Sequence, residues 1–598
     1  MAGGWLTCGK LVRGRLARLS VLVWCFRDNV LVAKGYRPVD RDQRFLVPPD
    51  MRDWLGAKHP VWLLIEVVSE HLDTSEFHRL RRIGGVGRAG YHPDMLLTLV
   101  LWAWMRKTRS SREIERACWD VVSFRVVCAG DVPDHTTISR FLAANHAACE
   151  QLFAEVLVLC HRLGMVKLDT IALDGVKIAS NASKDANRTE EGLRKAAAAE
   201  EAKTEAAREA AREAAEAVAA ESVAEHLAAD ARDEQLWGDG DDGHDVPDDL
   251  VERTSRAARI AEALADLEAE KAAARAAREA KTNKYDQTVA AGDVPAGVPP
   301  ADRRVEAART NLARTLERQR QKVARVETRR AAAAARGKRL SGRPVKPVDE
   351  SARVLAAVAR LERAVATRHE TAARPAKTPT EPVRNITDPQ SRLQPIRGGG
   401  WVQGYNCQAF TSAEGIIIAT GVSNNPADTT AFAPLVEKAC ATAVTLAGID
   451  TTATEARNEV EVREQAEKLI GLMLFDAGYL SVDNLESPGP DRLIAVGKHR
   501  HLEAAAADPT GGPPPAHADP IQAMTHRLRT PEGITAYRQR SPIAETPFGH
   551  AKHNLGFRRF RSRGLDRATS EWSFHAATHN LGKILTRLTT TSQTLPAT

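Results

Sequence analysis

The sequence predicts an α/β protein: a mixed sheet with helices on both faces, an all-helical N-terminal domain before it, and a long helical insertion within it. Three observations carry this. Two apolar runs, Leu168–Asp174 and Leu469–Asp476, each read as a buried strand ending in an acid. Tyr405–Thr411 and Gly415–Val422 flank a short turn and read as a hairpin. Helical periodicity fills the chain before the first run, and Ala, Arg, Glu and Lys dominate much of the chain between the two. Strands alternating with helices, plus a hairpin, indicate a mixed sheet covered by helices.

The bulk properties set bounds. At 598 residues the chain exceeds what one core usually fills, and its 43% hydrophobic content is enough for a packed interior. The net charge of +7 is unevenly spread, with His553–Arg567 basic and Asp239–Asp249 acidic. Local basic stripes fit a polyanion partner, though basic surfaces also serve solubility. The eight cysteines form no C-x-x-C pair and no zinc spacing, and read as reduced thiols of a cytosolic protein. The longest apolar run, Met95–Met105, falls well short of the ~18–20 residues that span a bilayer. Residues 1–35 carry arginines and a short apolar patch, Val21–Phe26, with no small-residue cleavage site after it. They are expected to be a disordered leader.

Residues 36–165 are expected to be helical over Val61–Leu72, Pro93–Met105, Ser110–Phe124 and Thr136–Leu163. Ser110 and Glu113 read as a capping box, Asp134 as a helix cap, and Gly84, Gly85, Gly87 and Gly90 as punctuation. Residues 166–183 open the sheet. Residues 184–384 form the insertion, with helical runs Lys195–Ala220 and Arg253–Glu279 around an acidic turn, Gly238–Asp249, and a Pro-rich tract at Pro375–Pro382. Few large apolar residues occur there, so its core should be thin. The insertion reads equally as an arm or dimer contact and as a solvated spacer. Residues 385–590 complete the sheet with the hairpin, a helix over Thr430–Leu446, the strand ending at Asp476, a strand over Arg492–Val496, and helices around Glu545 and over Ser570–Leu588. Residues 591–598 are a tail.

Asp174 and Asp476 share a local design, each ending an apolar strand with glycine close behind, as Asp174-Gly175 and Asp476-Ala477-Gly478. Strand ends are where α/β sheets form ligand crevices. Phosphoryl chemistry on DNA uses such acids to hold two hard cations ~3.5–4 Å apart, and magnesium is satisfied by two or three carboxylates. An acid before glycine is also a common turn or cap residue. The third candidate is Glu545 in Tyr537-Arg-Gln-Arg540-Ser-Pro-Ile-Ala-Glu545-Thr-Pro-Phe-Gly-His-Ala-Lys552. On a continuous helix Glu545 and Lys552 share a face, and Arg540 adds a fork suited to phosphate. By itself this stretch equally reads as an ordinary amphipathic helix, and Pro547 and Gly549 weaken it.

Taken in order, the motifs resemble those of bacterial insertion-sequence transposases with an RNase H-like DDE catalytic core. Ser110–Glu115 and Pro133–Phe141 are similar to the N-terminal helical signature, and Leu173-Asp-Gly-Val-Lys177 with Asn181 and Ser183 to the first-Asp motif. Asp388–Arg392 and Gly404-Tyr-Asn-Cys-Gln408 are similar to the re-entry segment, and Phe475-Asp-Ala-Gly-Tyr479 to the second-Asp motif. Tyr537, Arg540, Glu545, Phe548-Gly549 and Lys552 are similar to the third-acid motif, and Arg563-Gly564 and His579-Asn-Leu581 to the closing elements. The chain departs at Val176, where threonine is usual, and in a longer interval from Arg540 to Glu545.

The resemblance implies a DDE transposase that cleaves phosphodiesters at element ends with two metal ions and transfers strands into target DNA. Asp174, Asp476 and Glu545 would be the catalytic metal ligands, with Mg2+ or Mn2+ as cofactor. Tyr537, Arg540, Lys552, Arg558, Arg559 and Arg140 would contact DNA, the first three near the cut. The implied partners are terminal inverted repeats and target DNA, bound by a homodimer without a membrane, in the bacterial cytoplasm and on the nucleoid. For the helix carrying Arg140, DNA contact and simple bundle packing weigh equally. The competing classes are a structure-specific nuclease on the same fold and an inactive domesticated DNA-binding protein.

Overall fold

In a computed structural model, residues 50–79, 90–222, 255–291, 299–300, 303–337, 345–373, 382–396, 398–448, 459–497, 503, 507–515, 517–591 and 595 are described. The expected leader, the glycines from Gly84 to Gly87, the acidic turn Gly238–Asp249 and most of the tail lie outside them. The chain divides into two units, Met1–Ala57 and Lys58–Thr598. The first contributes one short described helix, Met51–Trp54, whose N-cap is Asp50.

Among the described residues the second unit begins with seven helices: α1 (Pro60–Glu66, extended by a π turn to His71), the single turn Ser75–His78, α2 (Pro93–Met105), α3 (Ser111–Asp120), α4 (Val122–Val127), α5 (His135–Ala144) and α6 (Ala148–Arg162). Every residue of α2 from Leu96 to Trp104 is buried, as its unbroken apolar sequence demands. The two longer expected helices are each split. Val121 adopts an extended backbone between α3 and α4. The side chain of Asn145 turns back to the Phe141 carbonyl at 2.8 Å as α5 ends. Asp134 caps α5 as expected, accepting from the backbone N–H groups of Thr136 and Thr137. The expected capping box is not made: Ser110 stands at the N-cap of α3 without a side-chain cap bond.

The sheet holds β1 (Thr170–Ala179), β4 (Arg392–Pro395), β5 (Trp401–Ser412), β6 (Ile417–Ser423), β7 (Leu472–Phe475) and β8 (Arg492–Ile494); a two-stranded ribbon pairs β2 (Asn187–Arg188) with β3 (Arg384–Asn385). The main order is β4-β5-β1-β7-β8, with β6 also on β5. β1, β5 and β6 are antiparallel neighbours, whereas β7 and β8 continue parallel to β1. The mixed sheet is as expected. Gly404 is required for it: a Cβ there would sit 2.0 Å from the Ile178 carbonyl oxygen on β1.

Helices cover both faces. On one, Ile171, Leu173, Met473 and Phe475 pack with the apolar side of α11 (Phe432–Leu446) and with Ala466 of α12 (Glu459–Leu469). On the other, Ala172, Leu474 and Leu493 pack with α14 (Pro520–Leu528) and α16 (Arg540–Gly549). The short helices α13 (Val482–Glu486) and α15 (Pro531–Arg538) connect these elements. The last helix, α17 (Leu565–Thr590), buries every residue from Ser570 to Leu581. It is sewn to the hairpin by Trp572 Nε1 donating to the Gln408 carbonyl at 3.0 Å and by Asn580 Nδ2 donating to the Ile417 carbonyl at 2.9 Å.

The insertion contains α7 (Glu190–Ser222), α8 (Arg256–Ala290), α9 (Arg304–Ala334) and α10 (Ala352–Ala373). Ion pairs of Glu190 with Lys271 and Arg194 with Glu268 align α7 antiparallel to α8, giving the expected hairpin. Its core is small: Leu193, Ile260, Ala263 and Ile386. Buried Arg384 anchors α8 beside the sheet through Asp266, at 2.6 Å, and Glu270. The six described cysteines are buried thiols, not joined in disulfides. No described helix is long and apolar enough to cross a membrane.

Candidate active site

Register brings the two acids level, but β1 runs on to Ala179, so Asp174 lies within its strand and only Asp476 stands just past a strand end, where the sequence led one to expect both. Ala172 of β1 pairs with Leu474 of β7, and β7 stops at Phe475. Two residues beyond that pair lie Asp174 and Asp476. Side chains alternate across a strand, so Asp174 takes the face of Ala172 and Asp476 that of Leu474. That face is covered by α16, whose Ile543 and Ala544 pack on Ala172 and Leu474. Glu545 is the next residue of α16 and is exposed.

Each of the two acids spends one oxygen on local backbone and turns the other toward Arg540. Asp174 Oδ1 accepts from its neighbour Gly175 N at 2.8 Å, and Oδ2 lies 3.2 Å from Arg540 Nη2. Asp476 Oδ1 accepts from Gly478 N at 2.8 Å, capping a short 3-10 turn, and Oδ2 lies 3.8 Å from the same Nη2. Asp476 is therefore both a turn cap and a pocket acid. Burial pushes the Asp174 pKa up to about 6; Arg540 and the Gly175 N–H pull against the rise, and the charges of Asp476 and Glu545 add to it. Glu545 also acts on Arg540. Among the described residues, the groups whose ligand atoms all lie within 4.8 Å of one another are His78, His92 and Asp94, and Glu66, Glu70 and His71. Asp174, Asp476 and Glu545 do not close to that degree; the two aspartates flank the guanidinium instead.

Tyr537 enters the same pocket from α15, and its hydroxyl donates to the Phe475 carbonyl at 2.9 Å. Its contact is with the end of β7 rather than with an open phosphate position. Lys552 lies on the π turn that follows α16, half-buried, and burial lowers its pKa. The π turn changes the helical phase, so the even spacing from Glu545 no longer fixes a shared face. Arg558 and Arg559 are exposed and line a cleft of about 720 Å3 between the N-terminal helices and the segment before α17. Lys107, Arg561, Arg567 and His146 line it too, as does Ser139 of α5; Arg140, the next residue on α5, is exposed. The cleft also contains the buried pair Arg109–Glu571, at 2.5 Å.

Sequence reasoning missed Asp428. Its Oδ1 accepts from Asn406 Nδ2 at 2.7 Å, Gln408 Nε2 at 3.0 Å and Lys177 Nζ at 3.3 Å. The available signal was the alternation of Asn406 and Gln408 on a strand with Lys177 opposite Asn406. It points to one polar face, but not to the acid that fills it.

Two family models match parts of the chain. One is described as a Transposase domain (DUF772) and matches residues 49–144. The other is described as a Transposase DDE domain and matches residues 515–585. The first takes in α1 to α5, and the second takes in Tyr537, Arg540, Glu545, Lys552, Arg558 and Arg559. Asp174 and Asp476 lie outside both matches. No curated protein and no solved structure matches the chain. The partial matches relate the chain distantly to the transposases over those two regions.

Proposed function

We propose that the chain is a DNA transposase with an RNase H-like catalytic core, using Asp174, Asp476 and Glu545 to hold Mg2+ or Mn2+. The observation that carries this is the single guanidinium of Arg540 reaching both Asp174 and Asp476, acids from distant parts of the chain set level by adjacent parallel strands. The arrangement of antiparallel β6, β5 and β1 followed by parallel β7 and β8 supports the core, as does the family match around Glu545. The N-terminal helices of residues 36–165 and the insertion of 184–384 would be accessories to the catalytic halves at 166–183 and 385–590.

The donor set fits a hard divalent cation: its side chains offer carboxylate oxygens, and positive charge already stands between two of them. When bound, the ions supply Lewis acidity and a nucleophile at neutral pH. The reaction is two in-line displacements at phosphorus. Water first breaks the bond at the element's end and leaves a 3′ hydroxyl; that hydroxyl then displaces an oxygen of the target strand. Neither step needs a protein nucleophile. Tyr537 fixes the end of β7, Arg540 neutralises the acid pair, and the cleft arginines Arg558, Arg559, Arg561 and Arg567 suit a phosphate backbone. A homodimer would pair the two inverted repeats.

The test is Asp476→Asn. It is expected to retain DNA binding in a gel shift and to lose strand cleavage in magnesium buffer. Wild-type cleavage by this variant refutes the assignment. Strand transfer by the wild-type protein separates a transposase from a nuclease, which cuts without joining.

A further inference from the structure

Asp428 opens the 3-10 turn Asp428–Ala431 ahead of α11, on the sheet face opposite α16. Its segment is strapped to the sheet: Gln394 Nε2 donates to the Asn424 carbonyl at 2.8 Å, and Lys177 Nζ to the Pro426 carbonyl at 3.0 Å. Three side-chain donors from β1 and β5 converge on Asp428 Oδ1. Oδ2 takes a different direction. A Cβ built on Gly478 would lie 3.0 Å from Asp428 Oδ2 and 3.0 Å from Asp476 Oδ1. β7 has ended at Phe475, so past the strand end the two carboxylates face each other across a glycine that carries no side chain.

A second observation involves the same carboxylates. Tyr479 is fully buried, yet its hydroxyl has no hydrogen-bond partner among the described residues. The carboxylates whose charges act on it are, in order of effect, Asp428, Asp476 and Asp174. A buried hydroxyl left without a partner calls for an explanation, and an ion-bound water in the pocket would satisfy it.

We propose that Asp428 is a fourth carboxylate of the divalent-ion pocket, held by the sheet through Oδ1 and offering Oδ2 beside Asp476. The proposal rests on the reading of Asp174 and Asp476 as ion ligands. In this role Lys177, Asn406 and Gln408 aim the free oxygen, much as outer partners orient the ligands of other metal sites. Gly478 is then kept small so that two carboxylates can approach one ion.

The experiment measures Mn2+ binding to the full-length protein by the electron paramagnetic resonance of free Mn2+, with metal-free thermal denaturation in parallel. Asp428→Asn keeps an oxygen for the three donors and replaces only the free Oδ2. It is expected to weaken Mn2+ binding about tenfold or more while the metal-free Tm holds. Gly478→Ala, which leaves those donors untouched, is expected to weaken binding as well by crowding both oxygens. If Asp476→Asn loses Mn2+ while Asp428→Asn and Gly478→Ala bind within twofold of wild type, Asp428 is only a strap and the proposal falls alone. If Asp476→Asn binds as the wild type does, the ion-ligand reading falls and takes the proposal with it.

Discussion

Replacing Arg109 with leucine removes one half of an ion pair whose side chains are 8% and 6% exposed. The guanidinium sits between the rings of Trp104, at 4.7 Å, and Phe557, at 4.1 Å, and donates to Glu571 and to the Arg559 carbonyl at 3.0 Å. Burial lowers the Arg109 pKa to about 10 in spite of Glu571. A depression of that size means about 3 kcal/mol working against the charged form. The pair is therefore not a large source of net stability, but breaking it leaves Glu571 charged and buried. The backbone N–H groups of Arg561 and Ser562 still reach Glu571, at 3.0 Å each, and soften the penalty. Arg109→Leu should cost about 3–5 kcal/mol, whereas Arg109→Leu with Glu571→Leu should recover most of it. Urea denaturation of the wild type, both single variants and the double variant gives the coupling energy. A single variant costing under about 1 kcal/mol, or strictly additive effects, would refute this account of how the N-terminal helices are joined to α17.

Acid should destabilise the protein through two buried histidines. Burial holds His575 well below its usual pKa and lowers His579 to about 3, so both stay neutral in the fold while the unfolded chain takes up protons below about 6.5. Their stabilising effect is complete above that value and declines as pH falls toward 3, by about 1.4 kcal/mol per pH unit for each. Asp174, raised to about 6, works in the opposite sense between its folded and unfolded values, as do the raised Asp388 and Glu155, while His59 and His550, lowered by burial, add to the histidine effect. The urea midpoint should therefore drop between pH 6.5 and 5, and a flat profile would count against it. In the cleft, Arg561→Ala and Arg567→Ala should each weaken DNA binding and lower the slope of log K against log salt by about one for each phosphate no longer neutralised. Unchanged slopes would place the DNA elsewhere. Arg140→Ala is a cleaner probe of end recognition than deleting residues 1–165, because α6 and α17 pack within one unit and the deletion would expose buried surface.

Much of the candidate site was legible because its signals are local. An apolar run ending in an acid before glycine marks Asp174 and Asp476 without any knowledge of partners. The third acid needed the ordered motifs, since Glu545 by itself reads as a surface residue, and it is exposed on α16. The neighbours were harder. Their contacts within the chain were not legible: Tyr537 holds the Phe475 carbonyl and Arg540 spans two carboxylates. Lys552 leaves the helical phase of Glu545 at a π turn that spacing does not announce.

The sequence by itself determined the hairpin, the strands before Asp174 and Asp476 and the longest helices of the two flanking regions, because periodicity of two or of 3.6 is written in neighbouring residues, but not the short strand β4, the ribbon of β2 and β3 or the helices α12 and α14. It also determined that the insertion has little core, since composition limits what can be buried. Only the tertiary structure decided that β1 and β7 are adjacent and in a register that levels Asp174 with Asp476. It alone brought Asp428 to that strand end and packed the N-terminal helices against α17. Those choices depend on pairings between residues hundreds of positions apart, and no local pattern encodes which distant surfaces will meet.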